Sequence, residues 1–265
     1  NVTGVQTCAL PISVVGDANN VAIGVNAMLG NADAVSSTGT QNVAIGTSSL
    51  IAFTTSSNNA MLGHQTGLYL TTGGGNVYIG RNAGLNFNTS SRDSVIIGAN
   101  AGGNQANTST ARFNVIIGSG AGSGINANGA ENVLFLGVNA GSKVTAGQQN
   151  LAIGPNVAST TLTTGNRNIL IGVDGSCDTA AAGTSDTLLI KGQGTAVFSA
   201  TGMNGSAPAL TIGATVQFGN AASFSANGSV ATVLGSVGPT GSHTTVQKWL
   251  TFLDSGGTTL YVPAF

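Results

Sequence analysis

Charge is what this chain has least of. Seven Lys or Arg and eight Asp or Glu make up 6% of its 265 residues, and the net charge is −1. An ordinary soluble domain carries about 25% charged residues. So neutral a surface has no basic patch to hold phosphates, which argues against a nucleic-acid partner. Aromatic residues are 5%, with a single Trp. Two cysteines, Cys8 and Cys177, are too few for a disulfide framework. No apolar run reaches the roughly 18 residues of a spanning helix, and no basic-headed signal sequence is visible, so membrane insertion is not expected.

Titratable chemistry is equally sparse. His64 and His243 are the two histidines, and neither has metal-ligand spacing around it. Asp33, Asp93, Glu131 and Asp186 fall in different stretches of the repeat described below, whereas catalysis needs such groups convergent. Asp174 and Asp178 are close enough in sequence to share a calcium ion with loop carbonyls. They lack the Gly-Gly-x-Gly-x-Asp pattern of calcium-binding solenoids. The expectation is no enzyme, no cofactor and no metal.

What the chain has in excess is glycine, 41 residues, and repetition. Nine times one short word recurs, three apolar residues and a Gly behind a leading residue that is polar in eight copies and usually Asn, from Asn20-Val-Ala-Ile-Gly24 to Asn168-Ile-Leu-Ile-Gly172. The glycines lie 17 to 22 residues apart, and the 148 residues from Gly24 to Gly172 make eight steps of about 18.5. That period is short for helical repeats and suits the coils of a β-solenoid. The expected fold is all-β: a parallel β-solenoid or β-roll of about nine short repeats, followed by a small β-rich C-terminal region.

Side chains of a strand alternate between faces, so the first and third apolar positions of each word share a face. The third holds Ile23, Ile45, Leu62, Ile79, Ile97, Ile117, Leu136, Ile153 and Ile171. This column is assigned to the dry interior, and Ile117→Asp is expected to destroy assembly because an unpaired interior carboxylate is very costly. The middle position runs Ala22, Ala44, Met61, Tyr78, Ile96, Ile116, Phe135, Ala152 and Leu170. Assigned outward, it presents a greasy stripe at Tyr78, Ile96, Ile116 and Phe135 that a lone rod does not tolerate. Either identical copies bury the stripe in a closed ring, or the connecting segments fold over it within one chain. The leading residues Asn20, Asn42, Asn59, Asn76, Asn114, Asn150 and Asn168 are expected to stack as an amide ladder, about 4.8 Å per rung. Asn132 precedes Val133, so that word has an extra residue and reads as a bulge.

A second phrase follows each Gly, clearest in Gly80-Arg-Asn-Ala-Gly84, Gly98-Ala-Asn-Ala-Gly102 and Gly137-Val-Asn-Ala-Gly141. The composite Asn-Val-x-Ile-Gly-x-Asn-Ala-Gly over roughly residues 19–176 resembles the head repeats of trimeric autotransporter adhesins and the repeats of bacteriophage tail-fibre proteins. The resemblance implies a homotrimeric parallel β-roll, used for host attachment or cell adhesion from a virion tail or a bacterial surface, with a host-surface glycan or protein as receptor. Two departures stand out: the spacing is longer and less regular than in adhesin heads, and no coiled-coil stalk or anchor follows. Val246–Phe265 is similar to short C-terminal domains of phage structural proteins, which tilts the resemblance toward a phage fibre. Rival readings are a polysaccharide-degrading tailspike and a purely structural spacer.

The organisation expected is 1–13, which resembles a translated sequencing adapter; 14–176, the solenoid; 177–234, a β-rich transition region; 235–243, a Gly/Pro linker; and 244–265, a C-terminal hairpin. In the transition region, Asp186–Lys191 and Thr195–Ser199 read as a pair of strands joined through Gly192-Gln-Gly194.

Overall fold

A computed structural model describes residues 19–30, 37–85, 87, 90–103, 112–126, 130–193, 196–201, 209–212, 217–218, 222–223, 248–253 and 259–264, with side chains as far as Ala200. Residues 1–13 and the linker 235–243 lie outside this set. The chain divides into two compact units, 1–216 and 217–265, so the expected transition region 177–234 is cut between them.

Each of the nine words forms one three- or four-residue strand: β1 (Val21–Ile23), β2 (Val43–Ile45), β3 (Ala60–Leu62), β4 (Val77–Ile79), β5 (Val95–Ile97), β6 (Val115–Ile117), β7 (Leu134–Leu136), β8 (Leu151–Ile153) and β9 (Ile169–Gly172). All pair in parallel, in chain order and in phase, so Val21 lies beside Val43 and Ile153 beside Ile171. The fold is an all-β parallel solenoid. A tenth rung, β10 (Leu188–Lys191), continues it, with Leu188 parallel to Ile169. The repeat therefore runs past residue 176. The Asp186–Lys191 segment is both a solenoid rung and the first strand of the expected pair, because β11 (Ala196–Thr201) joins its free edge antiparallel. β12 (Ala209–Ile212) adds a further antiparallel strand. In the second unit, β13 (Gln217–Phe218) pairs with β14 (Ala222–Ser223), and β15 (Lys248–Leu253) pairs antiparallel with β16 (Thr259–Ala264).

Strands stay short because the closing Gly turns the chain. At Gly118 φ is +137°, and a Cβ there would stand 2.2 Å from the carbonyl oxygen of Gly137 on the next rung. Only glycine fits so close a backbone stack. Two positions later, Asn82, Asn100, Asn139 and Asn156 adopt φ between 54° and 60°, a region that Asn tolerates better than most residues. Asn82 donates to the Asn100 side chain at 3.0 Å, and Asn139 to Asn156 at 3.1 Å.

The amide ladder is present and sits inside the coil. Asn42, Asn76, Ser94, Asn114 and Asn168 are fully buried. Asn20 Oδ1 accepts from the backbone N–H and the side-chain amide of Asn42, at 2.8 and 3.2 Å. The pattern recurs from Asn42 to Asn59, Asn59 to Asn76 and Asn150 to Asn168. Each Asn amide also donates to a connecting-segment carbonyl, for example Asn76 to Ser91 at 2.9 Å and Asn114 to Ala130 at 2.9 Å. Buried amides need partners of this kind.

Residues with the ladder's parity therefore face inward, which reverses the face assignment made from sequence. Ala44, Met61, Tyr78, Ile96, Ile116, Phe135, Ala152 and Leu170 of the middle column are at most 1% exposed. Tyr78, Ile96, Ile116 and Phe135 are thus core residues, not an outer face. The third column, Ile23, Ile45, Leu62, Ile79, Ile97, Ile117, Leu136, Ile153 and Ile171, is half-buried or exposed and points out of the coil. The cover over the middle column comes from the same chain. Phe53, Leu70, Phe87, Ile125 and Val144, each seven residues after a word's Gly, are buried against it, as are Ala83, Ala101, Ala121 and Ala140. Tyr78 meets Phe87 edge-on, with ring centroids 6.2 Å apart, a favourable aromatic geometry.

The expected bulge at Asn132 is absent, since β6, β7 and β8 pair without a register shift. Val133 occupies the ladder position, and its N–H donates to Asn114 Oδ1 at 3.1 Å. Asn132 has φ 55° and belongs to a column of left-handed residues that precedes every ladder position, including Asn58, Phe113 and Gln149.

Candidate interaction surface

The outer face of the parallel sheet is two apolar columns wide. Val21, Val43, Val77, Val115 and Ile169 are exposed in the first, and Ile23, Leu62, Ile79 and Leu136 in the third, at 36–47%. Nothing charged interrupts either column between Val21 and Ile171. Strand geometry dictates this arrangement: Asn, middle residue and Gly take the inner parity, so both β-branched positions are left outside.

Two flanks border the face. On one side lies the left-handed column Asn19, Gln41, Asn58, Gly75, Asp93, Phe113, Asn132, Gln149, Arg167 and Asp186, all with positive φ. Phe113 is 55% exposed with φ 56°, a costly conformation for a bulky residue. Together with Asn132, Gln149, Val115, Leu134 and Leu151 it lines a shallow depression of about 330 Å³. On the opposite flank, directly after each corner Gly, stand Val25, Thr47, His64, Arg81, Ala99, Ser119, Val138, Pro155 and Val173. Val25, Val138 and Val173 are at least half exposed. His64 is exposed here; His243 lies outside the described residues.

Carboxylates near the C-terminal rungs are engaged by the protein itself. Asp178 accepts the backbone N–H groups of Thr160, Thr161 and Leu162 at 2.7–3.0 Å and the Thr160 hydroxyl at 2.8 Å. Partial burial raises its pKa, but these donors outweigh that effect and hold it below the ordinary carboxylate value. Asp174 is held low by the Ser176 hydroxyl and backbone N–H. The two aspartates serve as loop clamps. Asp186 receives Arg167 as a fork, at 2.6 and 2.9 Å, which lowers the carboxyl and raises the guanidinium. Cys177 is buried and free, with its thiol pushed up to about 11 by desolvation. Among the described residues, no cluster of His, Cys, Asp and Glu is arranged to hold a metal ion.

Fold and surface together define a parallel β-solenoid repeat protein with an apolar outer sheet face, consistent with repeat-built fibre proteins. Comparison of the chain with protein-family models, with curated proteins and with solved structures finds no match.

Proposed function

We propose that the chain is a segment of a non-enzymatic fibre shaft that assembles as a homotrimer and holds an attachment structure against a host or cell surface. The observation that carries this reading is the outer sheet face, apolar over nine rungs and flanked on both sides by further exposed valines or an exposed Phe. A contiguous apolar surface of this length is rare on a monomer. A ring of identical chains covers it once per protomer, and a trimer brings three such faces together around one axis. The resemblance to phage tail fibres and to trimeric adhesin heads supports the threefold and the placement on a virion tail or a bacterial surface. The phage side is favoured by the C-terminal sequence. The receptor, a host-surface glycan or protein, is assigned to the irregular connecting segments or to the C-terminal hairpin, because the strand face is occupied in the assembly.

Multi-angle light scattering on the full chain tests the assembly, with three chain masses expected; a stable monomer overturns it. Labelled protein bound to candidate host cells tests attachment. Failure to bind any host leaves a structural spacer as the better reading, and release of reducing sugar from envelope glycans identifies a tailspike-type enzyme instead.

A further inference from the structure

At the fourth and sixth rungs the two flanks of the sheet face complement each other in size, and at the height of the fourth also in charge. Gly75 is the one glycine of the left-handed flank, and the longest side chain of the opposite flank, Arg81, stands on the same rung. Phe113, the bulkiest residue of the first flank, shares its rung with Ser119, and Ala99 stands on the rung before. The two flanks of one chain cannot use this complementarity. Gly75 and Arg81 are six residues apart along a strand and its corner, up to about 20 Å in extended chain. In a ring of identical chains, however, one flank of each face meets the opposite flank of the next, and rotation about the rod axis leaves height unchanged. Equal rungs therefore meet.

Arg81 and Asp93 are both exposed, and among the described residues the ion pair formed within the chain is Arg167 with Asp186. Asp93 belongs to the fifth rung, yet its carboxylate leans back over the fourth. Its Oδ1 lies 2.5 Å from where a Cβ on Gly75 would stand. Glycine leaves that space open, so the carboxylate sits at the height of Arg81.

We propose that Arg81 of one chain closes over Gly75 of its neighbour onto Asp93, a charged clasp repeated at each seam that fixes the rung register of the assembly. The inference rests on the homotrimer proposed above. Two apolar columns made mostly of Val and Ile, with Leu and one Ala, specify register weakly, since a slip of one rung preserves the greasy contact. A single complementary charge pair penalises that slip, as polar residues do in other repetitive interfaces.

Charge reversal separates the clasp from the trimer. Arg81→Asp gives a chain with two acidic flanks at this height, and Asp93→Arg gives one with two basic flanks. Each variant alone is expected to dissociate a few degrees below the parent, followed by light scattering on heating. Refolded together in equal amounts, they are expected to recover most of that loss, because mixed seams pair Asp with Arg. Recovery on mixing arises only between chains, so a trimeric parent whose variants gain nothing on mixing overturns the clasp and leaves the trimer standing. A monomeric parent overturns both. Arg81→Gln introduces no repulsion and tests the pair independently: its trimer is expected to lose part of the parent's sensitivity to salt, and an unchanged salt response counts against the clasp.

Discussion

Val133 takes the Asn114 side chain as its backbone acceptor at 3.1 Å and offers no acceptor to Asn150, whose N–H, among the described residues, is the step of the ladder left without a side-chain partner. In the neighbouring rungs the slot is filled by an amide that also donates to the carbonyl three residues before the next slot, as Asn114 does to Ala130 and Asn150 to Gly165. The corresponding carbonyl for residue 133 is that of Gly147. Val133→Asn is therefore expected to complete the ladder. The gain is about 1 kcal/mol, a net hydrogen-bond contribution reduced by the desolvation of one amide, and is read as a raised melting temperature. A fall in melting temperature would show that packing of the valine methyls governs the slot.

Tyr78 carries the opposite defect. Its ring is fully buried against Phe87, and among the described residues its hydroxyl has no hydrogen-bond partner. Desolvation drives the phenol pKa well above its ordinary value. Tyr78→Phe keeps the ring and removes the orphaned oxygen, so it is expected to stabilise the chain by roughly 1 kcal/mol. Thermal or denaturant melting checks this, and a loss of stability would mean that the hydroxyl is satisfied after all.

Acid is expected to loosen the last rungs first. Asp178 and Asp186 are both held below the ordinary carboxylate value by their donors. Stability from a depressed carboxylate is fully present above the unfolded value of about 3.9 and is lost as pH falls through the lower folded value. Asp178→Ala leaves the N–H groups of Thr161 and Leu162 unpaired, at an expected cost of about 1–3 kcal/mol at neutral pH. The gap between parent and variant is expected to narrow as melts are repeated below about pH 4. A gap independent of pH would mean that Asp178 acts by packing alone.

The period, the strands and the amide ladder were all legible in the words themselves, because Asn, β-branched residues and Gly recur in fixed phase. Which face was inner was also legible in principle. Asn42 and Ala44 differ by two positions, so an inward ladder entails an inward middle column; hydrophobicity alone favoured Val43 and Ile45 instead. Size held a second signal. Tyr78 and Phe135 share one column with Ala44 and Ala152, which a core absorbs only if a facing element adapts, as Phe53, Leu70 and Phe87 do. Those covering residues each lie seven positions after the Gly of their own word, but within polar stretches whose composition reads as loop. The tenth rung escaped because Thr187 and Lys191 replace the usual Asn and Gly. The flanks were not legible at all, since only the backbone fold shows that Asp93 overhangs Gly75.

Adjacent isoleucines of one strand now give the sharpest test of core against assembly. Ile116 is fully buried within the coil, whereas Ile117 lies on the outer sheet face, half-buried. Ile116→Asp places a carboxylate among Phe135, Ile96 and Ile125 with no partner, a cost of several kcal/mol, and is expected to abolish the β circular-dichroism signal and the cooperative melt. Ile117→Asp leaves its carboxylate in water in the single chain, so the fold is expected to survive. In the proposed trimer the same substitution puts three carboxylates near one axis, where like charges repel and cannot be hydrated. That variant is expected to give a folded monomer by light scattering at neutral pH. A folded Ile117→Asp protein that remains trimeric would remove the outer sheet face from the interface, and an unfolded one would mean that the chain does not stand without its partners.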